Sequence, residues 1–142
     1  MLPSGSYAEK LGRRALAMLD GARWRLGRGE YDLACFEAEL AAQLYLKSTL
    51  VRVLGDAPRI HGLSELLGRL YSALRKNYPD LAESVARLAS SMRGRIWFLE
   101  ESYFIGRYGL ADYSEEDGRE CVETAEKIID VLGRVSARVS SG

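Results

Sequence analysis

Apolar residues recur every three or four positions along almost the whole chain, and this helical period constrains the fold more than any other feature of the sequence. No segment alternates apolar and polar residues convincingly, as a half-buried strand would. The pattern therefore predicts an all-α protein.

Glycine, proline and one serine mark the ends of the periodic segments. Gly27 and Gly29 interrupt the first segment, and Gly55 ends the second, with Pro58 beyond it as a stop signal. Ser114 is suited to cap the last segment. These signals predict five helices, which cover about 6–27, 30–54, 62–77, 80–107 and the stretch from just after Ser114 to about 138.

Long helices joined by short links must lie antiparallel to their neighbours. We therefore expect an up-down antiparallel bundle of four to five helices. A chain of 142 residues is long enough to bury a proper core and short enough to form one unit. We expect a single domain over 1–142, with its core at about 7–135.

Two helices show a clear apolar stripe. In the fourth predicted helix, one face carries Leu81, Val85, Leu88, Met92, Ile96, Leu99 and Tyr103. Trp97, Phe98 and Phe104 point away from that face, and such an aromatic surplus predicts a homodimer. In the second predicted helix, the stripe is Leu33, Phe36, Leu40, Leu44, Val51 and Leu54, and Lys47 lies in its middle.

Charge excludes a strongly basic nucleic-acid-binding protein, because 20 basic residues balance 20 acidic ones. The charges are unevenly distributed, with a basic segment at 7–28 and an acidic one at 107–130. Attraction between these two segments across the bundle is the simplest interpretation, although basic residues of the first helix could also track RNA phosphates.

The two cysteines, Cys35 and Cys121, lie far apart in the sequence, each inside a helical pattern. We expect them to be separate buried thiols in a reducing compartment rather than a disulfide or a zinc site. The first residues lack an apolar core of signal-peptide length, and no apolar run approaches the ~18 residues of a membrane span. The chain is therefore expected to be cytoplasmic, with no membrane contact.

Four residues are candidates for an anion or nucleotide site. Lys47 must either place its ammonium in a cleft, where it could hold an anion, or pack its stem and pair its head. His61, the only histidine, either braces a helix junction or joins the free N–H groups at a helix start in binding an anion. Arg107 and Tyr108 end the fourth predicted helix, where Arg107 either complements the helix dipole or captures a phosphate or carboxylate.

Searches for known catalytic and metal-binding motifs find nothing. The sequence contains no phosphate-binding glycine loop, no HExxH and no GxSxG. A carboxylate-bridged metal centre in a bundle normally needs two Glu-x-x-His pairs, and one histidine cannot supply them. We expect no metal and no cofactor.

Four stretches in order give the chain a resemblance to the HEPN family (higher eukaryotes and prokaryotes nucleotide-binding domain). They are GEYDLACFEAELAAQLYLKSTL, HGLSELL, ESYFIGRYG and YSEEDGRECVETAEKII, at 29–50, 61–67, 101–109 and 113–129. They resemble the family's lysine-bearing second helix, its His-x-Leu-x-x-Leu start of the third helix, its Arg-Tyr end of the fourth, and its closing helix.

The resemblance implies a helical bundle, commonly a homodimer, that binds nucleotides between helices. It also implies a small nucleotidyltransferase partner encoded nearby, as in a toxin–antitoxin module. A subset of the family are metal-independent ribonucleases that use an arginine followed, after four to six residues, by a histidine. Counting on from Arg107, those positions are Asp112, Tyr113 and Ser114, and none is histidine.

The leading hypothesis is therefore a non-catalytic HEPN-like module that dimerises, binds a nucleotide or another anion, and acts with a nucleotidyltransferase. One alternative is a ribonuclease that cleaves RNA with a non-standard site, such as one that uses His61. The other is a structural interaction protein with no small ligand.

Overall fold

Six α-helices and no β-strand account for the residues that the computed structural model describes, which are 4–108 and 112–141, with side chains over 5–104 and 112–140. The all-α expectation is confirmed. The helices are α1 (Ser4–Gly27), α2 (Tyr31–Leu54), α3 (Leu63–Leu74), α4 (Pro79–Ser91), α5 (Arg93–Tyr108) and α6 (Glu115–Ser141).

The helix predicted over 80–107 is divided into α4 and α5 at Met92, whose backbone leaves the helical region at φ −118° and ψ 24°. Serines precede the break, and the Ser91 hydroxyl donates to the Leu88 carbonyl at 3.4 Å, a local bond that competes with regular helix. A break of one residue keeps the register of the predicted stripe. Five of its residues are buried, namely Leu81, Val85, Leu88, Ile96 and Leu99.

Helix α2 lies at the centre of the bundle, where it contacts α1, α3, α5 and α6. The stripe predicted for α2 is wrong, because only Val51 of its six residues is buried and Leu54 is 55% exposed. The buried residues are mostly small, and include Ala34, Ala38, Ala41 and Ala42, which are fully buried. A helix surrounded on several sides has no single core face, so a one-stripe pattern does not describe it.

Small residues also allow α1 to approach α2 closely. Ala8, Ala15 and Ala22 recur every seven residues along α1 and are fully buried. The Ser48 hydroxyl of α2 donates to the Ala8 carbonyl at 2.6 Å, and a side chain at Gly12 would lie only 3.3 Å from the same hydroxyl. Neighbouring helices can therefore pack on α2 almost backbone to backbone.

Two predicted helix ends are confirmed by their hydrogen bonds. Gly55 adopts a left-handed conformation, with φ 87°, and its N–H donates to the Val51 carbonyl at the end of α2. At the start of α6, the Asp117 N–H donates to the Ser114 hydroxyl and the Ser114 N–H donates to the Asp117 carboxylate, at 3.1 Å and 2.9 Å. This reciprocal pair is a capping box.

The predicted attraction between the basic and acidic segments is present at Arg23, whose guanidinium lies 2.7 Å from the Glu126 carboxylate of α6. Another cation of α1 pairs with residues that lie nearer in the sequence. Arg25 pairs with Glu30 and Glu37, both at 3.0 Å. Most of the basic charge at 7–28 is therefore not matched by α6 in the described residues.

The expectation of two separate thiols is wrong, because Cys35 of α2 and Cys121 of α6 form a disulfide. Both residues are buried, and their Cα atoms are 5.1 Å apart although 86 positions separate them in the sequence. The two cysteines meet only because α2 and α6 cross, and this crossing is not visible from their separation in the sequence. The bond ties the second turns of these two helices together.

None of the described helices combines the length and the apolar character that a membrane span requires.

We predict that reduction of the Cys35–Cys121 bond lowers the free energy of unfolding by roughly 2–4 kcal/mol, because a cross-link over a long loop restricts the unfolded chain. Urea unfolding of the protein with and without a phosphine reductant measures the difference. As a control, alkylation of the unfolded protein before and after reduction counts free thiols by mass. Two free thiols before reduction would contradict the bond.

Candidate functional site

Three polar side chains follow one another along the central helix. Glu39, Gln43 and Lys47 are four residues apart, so they lie along one side of α2. Glu39 is 1% exposed and Gln43 is 5% exposed, whereas Lys47 is only partly buried. The row therefore leads from the core of the bundle toward its surface.

His61 meets this row from the segment between α2 and α3. Its Nδ1 atom lies 2.9 Å from the Lys47 ammonium and 3.2 Å from the Gln43 side-chain oxygen, while the residue itself is exposed. The structure thus brings together two of the predicted site residues, Lys47 and His61. The lysine stem packs in the bundle, and its ammonium pairs with the His61 imidazole.

The hydrogen bonds of His61 allow two proton arrangements. The Gln43 amide nitrogen donates to both Glu39 carboxyl oxygens at 3.2 Å, which turns the Gln43 oxygen toward the imidazole. In one arrangement Lys47 donates to Nδ1, and the imidazole carries its proton on Nε2. In the other, Nδ1 carries the proton and donates to Gln43. Nδ1 cannot accept a hydrogen bond from Lys47 and donate one to Gln43 at the same time. The nitrogen that carries the imidazole proton is therefore coupled to the charge on Lys47.

Glu39 is protonated at neutral pH. Burial raises the pKa of its carboxyl from the ordinary value of 4.5 to about 8. The bond from Gln43 and the charge of Lys47 act in the opposite direction, while the negative charge of Glu100 adds to the rise. The buried end of the row is therefore neutral at pH 7.

Burial also lowers the pKa of the Lys47 ammonium, and attraction to the Glu39 carboxylate offsets part of that effect. A lysine with a lowered pKa next to an imidazole can hold an anion, and it can also exchange protons more readily than a free surface lysine. The exposed edge of the imidazole adds a second hydrogen-bond donor or acceptor beside it.

Glu100 of α5 closes another side of this region. Its carboxylate accepts the Ser64 backbone N–H at 2.9 Å, in the first turn of α3, and lies 3.6 Å from where a side chain on Gly62 would begin. The sequence suggested that free N–H groups at this helix start could bind an anion. The structure shows that Glu100 already takes one of them.

Arg107 and Tyr108 form the last turn of α5 in the backbone, and their side chains lie outside the described residues. Their part in the candidate site stays a prediction. Within 5–104 and 112–140, no group of three or more His, Cys, Asp or Glu side chains is arranged to hold a metal ion.

Sequence reasoning missed Glu39, Gln43 and Glu100. The first two were detectable, because a glutamate and a glutamine at four-residue intervals before Lys47 share its side of the helix. Glu100 was not detectable, because only the packing of α5 against the start of α3 brings it near.

We predict that Glu39→Gln flattens the pH dependence of stability. The folded carboxyl keeps its proton between about pH 4.5 and pH 8, whereas the unfolded chain loses it, so the free energy of unfolding falls as pH rises through this range. Since each pKa unit corresponds to ~1.36 kcal/mol, the variant should be more stable than the natural protein near pH 9 by up to about 5 kcal/mol.

Urea unfolding at a series of pH values measures this effect. The matched control is Glu65→Gln, which makes the same substitution on the exposed face of α3 and should keep the slope of the natural protein. Parallel pH profiles for Glu39→Gln and the natural protein would show that Glu39 is ionised in the fold.

Comparisons with known proteins agree with this architecture. The model of the HEPN domain family matches residues 8–135. TT1696 from Thermus thermophilus is 26% identical, with a TM-score of 0.68, over 90% of this chain and 97% of that one. ST0689, described as an archaeal HEPN homologue, is 25% identical, with a TM-score of 0.60, over 95% of this chain and 99% of that one.

No curated protein matches the chain. The family match nevertheless covers most of its length, from the first turns of α1 to the last turns of α6. The chain therefore belongs to the HEPN family.

Proposed function

We propose that this HEPN protein is a non-catalytic module that dimerises, binds a nucleotide or a related phosphate-bearing anion, and acts with a nucleotidyltransferase partner in a toxin–antitoxin-like pair. The observation that carries the ligand part is the contact of 2.9 Å between the Lys47 ammonium and the exposed His61 imidazole. A positive charge and a hydrogen-bonding ring edge at one place suit a phosphate.

The charge balance of the site supports binding of an anion near neutral pH. Glu39 lies on the same side of α2 as Lys47, but its raised pKa of about 8 keeps it neutral there. The neutral Glu39 therefore does not offset the lysine charge near pH 7, and the start of α3 already holds the Glu100 carboxylate. Affinity for an anion should fall as pH rises through 8, because Glu39 then ionises.

The non-catalytic part rests on the sequence at 112–114, where Asp, Tyr and Ser stand in place of the histidine that family ribonucleases use. Imidazole is the side chain best suited to move a proton in RNA cleavage near pH 7. Without it, the end of α5 offers an arginine but no matching base.

Calorimetry with ATP tests the ligand part. We expect binding in the micromolar to millimolar range, weakened about tenfold or more in Lys47→Gln, because one charge-assisted bond to phosphate is lost. Lys76→Gln, which removes an exposed lysine just after the end of α3, is the matched control and should bind as the natural protein does. Arg107→Ala tests whether that predicted residue joins the site.

Two results would remove this part of the proposal. One is the absence of heat at about 5 mM ATP, well above the range expected for a specific site. The other is an equal loss in Lys47→Gln and Lys76→Gln, which would indicate general charge attraction instead of a defined site.

The dimer rests on two exposed aromatic residues of α5. Trp97 and Phe104 are 59% and 62% exposed and lie seven residues apart, hence on one face of the helix. Phe98, the third residue of the predicted aromatic surplus, instead packs inside against Tyr113, with ring centroids 5.6 Å apart. The available apolar face is therefore narrower than the sequence predicted, and Glu100 and Glu101 lie between its two aromatic residues along the helix.

We predict that Trp97→Glu shifts the protein from dimer to monomer, because a carboxylate would have to be buried in the interface. Light scattering after size exclusion gives the mass directly. The control is Trp24→Glu on α1, where a tryptophan of similar exposure, 57%, should tolerate the change. A monomeric natural protein at about 100 µM would overturn the dimer.

A second candidate function is RNA cleavage with a non-standard site. It is favoured by the exposed imidazole of His61, which a lysine with a lowered pKa holds in place. Incubation with total RNA in the presence of a chelator distinguishes the two candidates. Cleavage that His61→Ala abolishes would favour a ribonuclease, and equal, negligible cleavage by both proteins would favour the non-catalytic module.

The nucleotidyltransferase partner is carried only by the family resemblance, and the cytoplasmic location only by the sequence expectation. Co-expression with a nucleotidyltransferase encoded next to this gene, followed by affinity capture, tests the partnership.

The disulfide is relevant to the location, because such bonds are common in oxidising compartments and, inside cells, in hyperthermophiles.

A further inference from the structure

A cavity of about 330 Å³ opens between α3, α4 and α5, and neither Lys47 nor His61 lines it. Its floor consists of Leu67, Val85 and Ile96, which are at most 2% exposed. This volume falls within the range of pockets that bind small molecules.

Small residues create the space. Gly68 of α3 faces Ala86 and Ala89 of α4 across the opening. A Cβ atom added at Gly68 would meet no atom within 4 Å, so the gap is real space beside the helix and not a tight helix crossing. Larger side chains at these positions would have filled it, as leucines do elsewhere in the bundle.

Polar side chains complete the lining of the cavity. Ser64, Tyr71 and Ser90 contribute hydroxyls, and Arg93, the first residue of α5, contributes a guanidinium. No described carboxylate forms an ion pair with Arg93, whereas the nearby Arg95 pairs with Glu120 at 3.3 Å.

An apolar floor with one cation at its edge selects for a particular kind of ligand. A purely apolar molecule would make no use of Arg93, and an inorganic anion would leave Leu67, Val85 and Ile96 in contact with water. A cation would be repelled. We propose that this cavity is a binding site for a small organic carboxylate with an apolar body, whose carboxylate pairs with Arg93 and whose body covers the floor. This site is independent of the Lys47–His61 site and of its proposed function.

The probe for a first test is 3-phenylpropionate, with 3-phenylpropan-1-ol as a neutral molecule of the same shape. Amide chemical shifts of ¹⁵N-labelled protein show where each binds, and titration gives the affinity. We expect the acid to bind with a dissociation constant of about 0.1–1 mM and to shift amides of α3, α4 and the start of α5. The alcohol should bind about five- to tenfold more weakly, since it lacks the charge.

Two variants test the two parts of the site separately. Arg93→Gln should lower the affinity for the acid about five- to tenfold and leave the affinity for the alcohol unchanged. Gly68→Leu should block both ligands by filling the space, and it should fold well, because leucine favours helix over glycine and meets no obstacle there.

Matched controls keep these effects specific. Arg69→Gln removes an exposed cation of α3 that does not line the cavity, and Gly5→Leu makes the same glycine substitution in α1, where a side chain also meets nothing within 4 Å. Both should bind the two ligands as the natural protein does.

Several outcomes would overturn the proposal. They are the absence of shifts at about 10 mM acid, shifts outside α3–α5, and equal affinity for acid and alcohol. The proposal would also be overturned if the chemical shifts of the same amides changed with protein concentration alone. That result would show that a second copy of the chain covers the cavity.

Discussion

The burial of α2 among four other helices is the constraint on which the rest of this structure depends. A helix in that position must present small or apolar residues on nearly every side, and fully buried alanines meet this requirement. They also let the four neighbouring helices, α1, α3, α5 and α6, approach closely. The disulfide to α6 and the hydrogen bond from Ser48 to α1 reinforce two of these crossings.

Polar residues on such a helix carry unusual properties. Glu39 would be an ordinary surface glutamate on an outer helix, but on α2 it is 1% exposed and its pKa rises to about 8. A neutral carboxyl costs far less to bury than a charged one, and the Gln43 amide satisfies its oxygens. Hydrogen bonds connect Glu39 through Gln43 to His61 and then to Lys47. A buried carboxyl is thereby linked to side chains at the surface.

This arrangement gives a physical meaning to the lysine that stands inside an apolar helix. Its stem lies in the bundle and its ammonium ends beside an imidazole, at the edge of the protein. The same structure places an acidic residue, Glu100, on the helix start that could otherwise have received an anion. Attraction and repulsion are thus set within one small region, and the protonation of Glu39 shifts the balance between them.

Local features of the sequence were sufficient for most of the helices, because a 3.6-residue period, a left-handed Gly55 and a capping box at Ser114 act within a few residues of themselves. They were not sufficient for the break at Met92, which divides one predicted helix into α4 and α5. They also drew attention to Lys47 and His61, since a lysine within a largely apolar helix and a lone histidine at a helix start are visible without a fold.

The sequence alone determined that this chain is an all-α member of its family and that it lacks the histidine after Arg107. Only the tertiary structure decided that Cys35 meets Cys121, that Lys47 touches His61, that Glu39 is buried, and that small residues leave a cavity beside Arg93. The physical reason is that each of these depends on how helices distant in the chain cross, and a crossing is set by the sum of many side-chain contacts rather than by any local pattern.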